Sequence, residues 1–247
     1  MKIIFHEKYE QVYSHDPAAK AGRIDNIVEA LKGYEFVQPE PATEEDLFLV
    51  HSKSLIDSVK EDKLAFEVAS LAAGGAIKAA DIALTEPAFG LIRPPGHHAG
   101  RDFNGGFCFF NNMAIAIQRL IKQRKISKAL IVDIDLHYGN GTYDILDGRQ
   151  DVIFLNMECQ EMQRYLDELR ESLAKAESYD VIGVSAGFDT YEKDWGRSLK
   201  TEDYKTIGGM IKEAAKHCQG RRFALLEGGY YIPDLGKNVK SFLQGLE

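Results

Sequence analysis

The sequence predicts an α/β domain of three layers, with helices on both faces of a mostly parallel central sheet. Three observations carry that expectation. Short, β-rich apolar runs alternate with longer helical patterns along the whole chain. Most of those runs are continuously apolar rather than alternating, as in strands covered on both faces. No linker, repeat or charge tract marks a boundary, so residues 1–247 read as one domain near the upper size limit of a single core.

Strands are predicted at residues 2–5, 89–92, 129–135, 152–155, 181–185 and 223–226. Helical patterns fall at residues 24–31, 44–50, 64–84, 113–123, 163–176, 201–217 and 234–246. Thr43-Glu-Glu-Asp and Thr201-Glu-Asp-Tyr each place a capping residue and acids where a helix should start. In such sheets the ligand site lies outside the carboxyl ends of the strands. The polar residues just after each strand therefore hold the chemistry.

Composition narrows the function classes. A hydrophobic content of 45% and a charged content of 28% are ordinary for a soluble globular protein. The net charge of -8 argues against nucleic acid as a partner and suits cationic small molecules or peptides. Cys108, Cys159 and Cys218 form no CxxC pair, so neither a disulfide frame nor a thiolate zinc cluster is expected. No run reaches the roughly eighteen apolar residues of a membrane span, and the N-terminal apolar stretch is too short for a signal peptide. A reducing, cytoplasmic location is the expectation.

The run from Ala129 ends by delivering Asp133, Asp135 and His137 at alternate positions. On a strand these share one side, where hard oxygen and imidazole nitrogen suit a divalent metal such as zinc. The alternative is a buried strand whose polar end simply meets solvent. After residue 92 comes Arg93-Pro-Pro-Gly-His-His-Ala99, a stiff loop holding adjacent imidazoles fit for proton transfer, or else a surface histidine pair. After residue 185, Ala186-Gly-Phe-Asp189 adds a carboxylate at the same edge, which elsewhere would be a turn or cap residue. After residue 226, Glu227-Gly-Gly-Tyr230 lets backbone pass close to a ligand before a phenol, and is otherwise a tight turn.

Taken in order, Arg93-Pro-Pro-Gly-His-His-Ala99, Gly106-Phe-Cys-Phe-Phe-Asn-Asn112, Asp133-Ile-Asp-Leu-His-Tyr-Gly-Asn-Gly141, Ala186-Gly-Phe-Asp189 and Gly228-Gly-Tyr230 resemble the zinc-dependent histone deacetylase and acetylpolyamine amidohydrolase family. Residues 15–23, Val50-His-Ser52 and residues 72–80 extend the resemblance over nearly the whole chain. It implies an arginase/deacetylase-like sheet and removal of acetyl, or another short acyl, from an acylated amine such as acetyllysine or acetylpolyamine. It implies Asp135, His137 and Asp189 as ligands of one zinc, with positions left for water and the substrate carbonyl. His98 becomes the general base, His97 a second, mainly electrostatic histidine oriented by Asp133, and Tyr230 the oxyanion donor. Gly106 and Phe107 become a wall of the acyl channel. Arg23 lies near an internal cavity for released acetate, or else in a surface salt bridge. Cys108 is expected to pack and not to act as a nucleophile. A potassium ion is implied at Asp133 and the carbonyls near Asp135 and His137.

Departures from the family pattern matter too. His137-Tyr138-Gly139-Asn140 puts a neutral amide, Asn140, where many relatives pair the base with a carboxylate. A base that stays neutral at lower pH follows. The stretch Asn156-Met-Glu-Cys-Gln160 leads almost directly into a helix where relatives carry a long loop with a second aromatic wall, and Glu61-Asp62-Lys63 is similarly brief. A shallow, open mouth with weak peptide selectivity is expected, unless a neighbouring copy in a homo-oligomer completes it. Glu192 and Asp194 either attract a cationic polyamine or stand as solvated loop acids, and Trp195 either forms rim or packs. Two rivals stay open: a binuclear manganese ureohydrolase of arginase type, and a non-catalytic module that binds acylated amines.

Overall fold

In a computed structural model, residues 1–157 and 161–247 are described. The chain runs β1 (Lys2–Ile4), α1 (Arg23–Ala30), β2 (Glu35–Val37), α2 (Glu44–Leu47), α3 (Lys53–Lys60), α4 (Lys63–Ile82), β3 (Ala88–Gly90) and α5 (Asn112–Lys122). It continues through β4 (Ala129–Asp133), α6 (Asn140–Leu146), β5 (Val152–Asn156), α7 (Met162–Lys175), β6 (Val181–Ala186), α8 (Thr201–Ala214), β7 (Arg222–Leu226) and α9 (Ile232–Leu246). One seven-stranded sheet has the order β2-β1-β3-β7-β6-β4-β5. Every pairing in it is parallel. The predicted α/β architecture is thus observed, with a sheet that is wholly rather than mostly parallel.

The continuous apolar runs have the expected cause. Every residue of β3, β4, β6 and β7 is buried, so those strands are sealed above and below. Truncating one such side chain, Ile131 for example, removes packing worth about 2–5 kcal/mol. The helices pack through apolar stripes, as Leu166, Leu169 and Leu173 do on α7. Among the described residues, no helix is long and apolar enough to cross a membrane.

Thr43 caps α2 as its spelling predicts. Its hydroxyl accepts the Asp46 N–H at 3.3 Å, and the Asp46 carboxylate accepts the Thr43 N–H at 3.0 Å. Thr201, in contrast, is already inside α8. The cap is Lys200, whose N–H donates to the Asp203 carboxylate at 2.8 Å, while the Thr201 hydroxyl reaches Asn238. The helix predicted over residues 44–50 stops at Leu47, and the predicted strand over residues 129–135 stops at Asp133. Two helices and a strand escape the periodicity: α3, α6 and the edge strand β2. Cys108 and Cys218 are buried free thiols, whereas Cys159 and the rest of residues 158–160 lie outside the described residues.

Candidate metal centre and active site

The loops after β3, β7, β6 and β4, four adjacent strands of the sheet, meet at its carboxyl edge. The strand carrying Asp133 ends there, so period-two alternation does not bring Asp135 and His137 together. A turn does. Asp135 Oδ1 accepts the His137 N–H at 2.9 Å and lies 3.1 Å from His137 Nδ1. Asp189, three residues past β6, brings Oδ2 to 2.9 Å from the same nitrogen.

Asp135, His137 and Asp189 thus offer three donor atoms within 4.8 Å of one another. Two donors on a tetrahedral ion about 2.0–2.1 Å away are separated by roughly 3.3 Å, close to what is seen. The outer oxygens are already committed: Asp135 Oδ2 accepts the Gly228 N–H at 2.8 Å, and Asp189 Oδ1 accepts the Leu136 N–H at 3.0 Å. Asp189 Oδ2 is buried and, although near His137, lacks a hydrogen-bond partner. An orphaned carboxylate oxygen beside a second buried carboxylate calls for a cation. The protonation pattern agrees. Burial, then the Asp135 charge, pushes Asp189 up to about 7, while the Asp135 and Asp189 carboxylates beside its Nδ1 hold His137 up to about 10. Gly228 is needed here, because a Cβ would come 2.6 Å from Asp135 Oδ2.

The twin histidines lie next to this cluster, their ring centroids 4.0 Å apart. His97 is buried, and its Nδ1 pairs with Asp133 Oδ2 at 3.0 Å. Burial opposes its cation, but the Asp133 and Asp135 carboxylates outweigh that and hold its pKa well above the usual histidine value. His98 Nδ1 lies 2.6 Å from Asn140 Oδ1. An amide oxygen only accepts, so Nδ1 carries the proton and the lone pair falls on Nε2. Burial first, and then the neighbouring His97 charge, lowers His98 to about 4, and the Asn140 bond works the other way. His98 is thus held neutral to lower pH, chiefly by desolvation and not by the amide partner.

Tyr230 faces this group from the β7 loop. Its ring stacks on Trp195 at 4.1 Å, meets Phe107 edge-on at 6.0 Å, and has the Arg23 guanidinium 5.6 Å from its centroid. Burial and the nearby Asp135 carboxylate keep the phenol protonated. Phe107 adopts φ 68°, an uncommon conformation for a residue with a side chain. Gly106 before it has φ 54°, and a Cβ there would strike the His98 ring at 2.2 Å.

Arg23 is fully buried, which removes the surface salt bridge. Nε donates to the Gly229 carbonyl at 2.8 Å and Nη2 to that of Glu227 at 2.5 Å, while Nη1 has no partner. Asp194 is a correction. It is no solvated loop acid: 7% exposed, it accepts the Tyr230 and Tyr231 N–H groups on Oδ2 at 2.6 and 2.7 Å. Glu192 remains exposed and lines an open cavity of about 450 Å³ with Trp195, Arg197 and Tyr230. Trp195 is exposed at the rim of this group, its ring centroid 5.7 Å from that of His137 and the planes nearly perpendicular. Cys108 is buried with its thiol pKa pushed up by burial, which suits packing. Sequence reasoning passed over Glu227 as a site residue, although a lone acid closing an apolar strand is the same signal that Asp133 gives.

Known proteins of one family resemble this chain. The family described as histone deacetylase domain matches residues 17–165 and 155–246. A probable deacetylase of Methanothermobacter thermautotrophicus is 29% identical over 99% of this chain and 90% of its own length. The acetylpolyamine amidohydrolase of Mycoplana ramosa is 33% identical over 73% of this chain, which spans 63% of that protein. The crystal structure of the HDA15 HD domain superposes with a TM-score of 0.87 at 23% identity, covering 99% of this chain and 88% of that one. It shares the fold. The chain belongs to the histone deacetylase and acetylpolyamine amidohydrolase family.

Proposed function

We propose that this protein is a zinc-dependent amidohydrolase that removes acetyl, or another short acyl group, from an acylated amine. One observation carries the reading: a three-donor cluster, an imidazole with a bare Nε2 and a protonated phenol share one edge of the sheet. Asp135, His137 and Asp189 would hold the ion. Zinc bound there supplies Lewis acidity to an amide carbonyl and makes water easier to deprotonate.

The protein's own groups do the rest. His98 takes the proton of the attacking water at Nε2 and returns it to the leaving amine. The Tyr230 hydroxyl donates to the oxygen that becomes negative, a contact that strengthens only as charge develops. His97, kept cationic by Asp133, adds a fixed positive charge beside that oxygen. Gly106, Phe107 and Trp195 line the approach of the acyl chain, and Arg23, with its free Nη1, is the anion-binding group below Tyr230. Potassium at Asp133 and the carbonyls near Asp135 and His137 belongs to the same reading. The buried Ser185 Oγ, unpartnered on the neighbouring strand in register with Asp133, is a polar atom such an ion would satisfy.

Acetyllysine peptides and N-acetylated polyamines are the substrates to compare. The relative named acetylpolyamine amidohydrolase and the exposed Glu192 favour testing a cationic polyamine first. Zinc-loaded protein should turn over at least one of the two classes, and Tyr230→Phe and His98→Ala should each lose about a hundredfold or more. Equal activity in all three versions would remove the reading. Two manganese ions per chain would favour the ureohydrolase rival. Against that rival, Asp-x-Asp-x-His occurs once in the chain, and among the described residues the donors gather in one group, Asp135, His137 and Asp189.

A further inference from the structure

We infer that Glu227 is a positioning residue of the active site, its buried carboxylate fixing the twin-histidine loop by accepting the N–H groups of both Gly96 and His97. The inference rests on the deacetylase reading for its kinetic consequence, but its structural content stands on the contacts. Glu227 is fully buried at the end of β7, and its Oε2 lies 2.7 Å from Gly96 N and 3.2 Å from His97 N.

The other anchors of the loop hold carbonyls and rings: Asn112 Nδ2 donates to Pro94 O, Thr142 N to His97 O, and the His97 and His98 rings pair with Asp133 and Asn140. The amides of residues 96 and 97 depend on Glu227. The residue is itself held from two sides, its N–H donating to Ala186 O at 2.9 Å and its carbonyl accepting Arg23 Nη2. It therefore ties the β3 loop, which carries His97 and His98, to β6 and β7, which lead to Asp189 and Tyr230. Asp133, Asn140 and Thr142 tie the same loop to the β4 side, so Glu227 is the tie toward the β7 side, where Tyr230 follows. Without an acceptor, two buried N–H groups would have to move to find another.

The other carboxylate oxygen, Oε1, is buried and has no partner. One oxygen performs the whole task, so an amide side chain can replace the acid. Burial pushes the Glu227 carboxyl up to about 7, so near neutral pH the exchange for an amide alters the charge of the site little.

The test compares Glu227→Gln with Glu227→Met, which keeps the bulk and removes the acceptor, in the zinc-loaded full chain. We expect Met to lower kcat by about a hundredfold, the scale of a misplacement near 1 Å, with KM and zinc content within twofold of wild type. The Gln variant should keep kcat within fivefold. Hydrogen exchange of the Gly96 and His97 amides should be slow in wild type and Gln, and at least tenfold faster in Met. Wild-type kcat in Met, a Gln variant as impaired as Met, or unchanged exchange in Met would each overturn the inference. If the Met variant does not fold, loss of protection at these amides in the Gln variant overturns it, and retained protection with retained kcat supports it. Failure of the deacetylase reading would show separately, as a wild-type protein inactive on every acylated amine, and the exchange measurement would still decide the role of Glu227.

Discussion

The indole of Trp195 lies on the phenol ring of Tyr230, centroids 4.1 Å apart and planes inclined by 27°. The residue that rims the site is thereby in contact with the proposed oxyanion donor. An aromatic pair of this kind contributes about 0.5–1.5 kcal/mol beyond its buried area. Trp195→Ala should therefore reduce kcat/KM on an acylated amine by about two- to tenfold. Trp195→Phe should recover most of it. Steady-state kinetics check this, and an alanine variant with wild-type kcat/KM would remove Trp195 from the channel.

Trp195 is also the chain's one tryptophan, its ring centroid 5.7 Å from that of His137. Zinc titrated into metal-stripped protein should change its emission and saturate at one ion per chain, and His137→Ala should abolish the change. A wild-type titration curve without saturation would count against the cluster as the zinc site.

The pH behaviour of His98 has a definite sign. The base must be neutral, and its pKa is lowered to about 4, so the group stays competent well below neutrality and its acid limb lies at low pH. In Asn140→Asp the new carboxylate beside Nδ1 favours the imidazolium, raising the pKa by about 1–3 units. The acid limb of kcat/KM should move to higher pH by a similar amount. A pH–rate profile that does not move would take Asn140 out of contact with the base.

Asp194→Ala strips the acceptor from the N–H groups of Tyr230 and Tyr231. Unsatisfied buried donors cost about 1–3 kcal/mol, so the melting temperature should fall by several degrees. Because those amides place the Tyr230 ring, kcat should fall too, while zinc content stays at one. Thermal melts and metal analysis of the purified variant check both parts.

Much of this was legible in the sequence because burial writes itself into composition. β4 and β6 are sealed on both faces, hence their unbroken apolar spelling. β2 is three residues at the sheet edge with Glu35 and Phe36 exposed, so no apolar run marks it. The α6 helix begins at Asn140-Gly141, a pair that reads as a turn until Thr142 N finds His97 O. Spacing marked Asp133, Asp135 and His137, and the family resemblance singled out Asp135, His137 and Asp189; their convergence needed a turn hydrogen bond and not strand alternation. Asp194 was misread because exposed Glu192 and Lys193 precede it in sequence. What buries it is the turn of residues 230–231, far along the chain.

The sheet order sets when the site comes into being. The histidine loop follows β3 and the phenol follows β7, strands that pair although well over a hundred residues separate them. Contacts so distant along the chain form late and slowly. A half-assembled chain lacks the pairing that brings the twin histidines to Tyr230, and a ligand that needs both stabilises the finished protein by mass action. Binding such a ligand thus certifies that folding is complete.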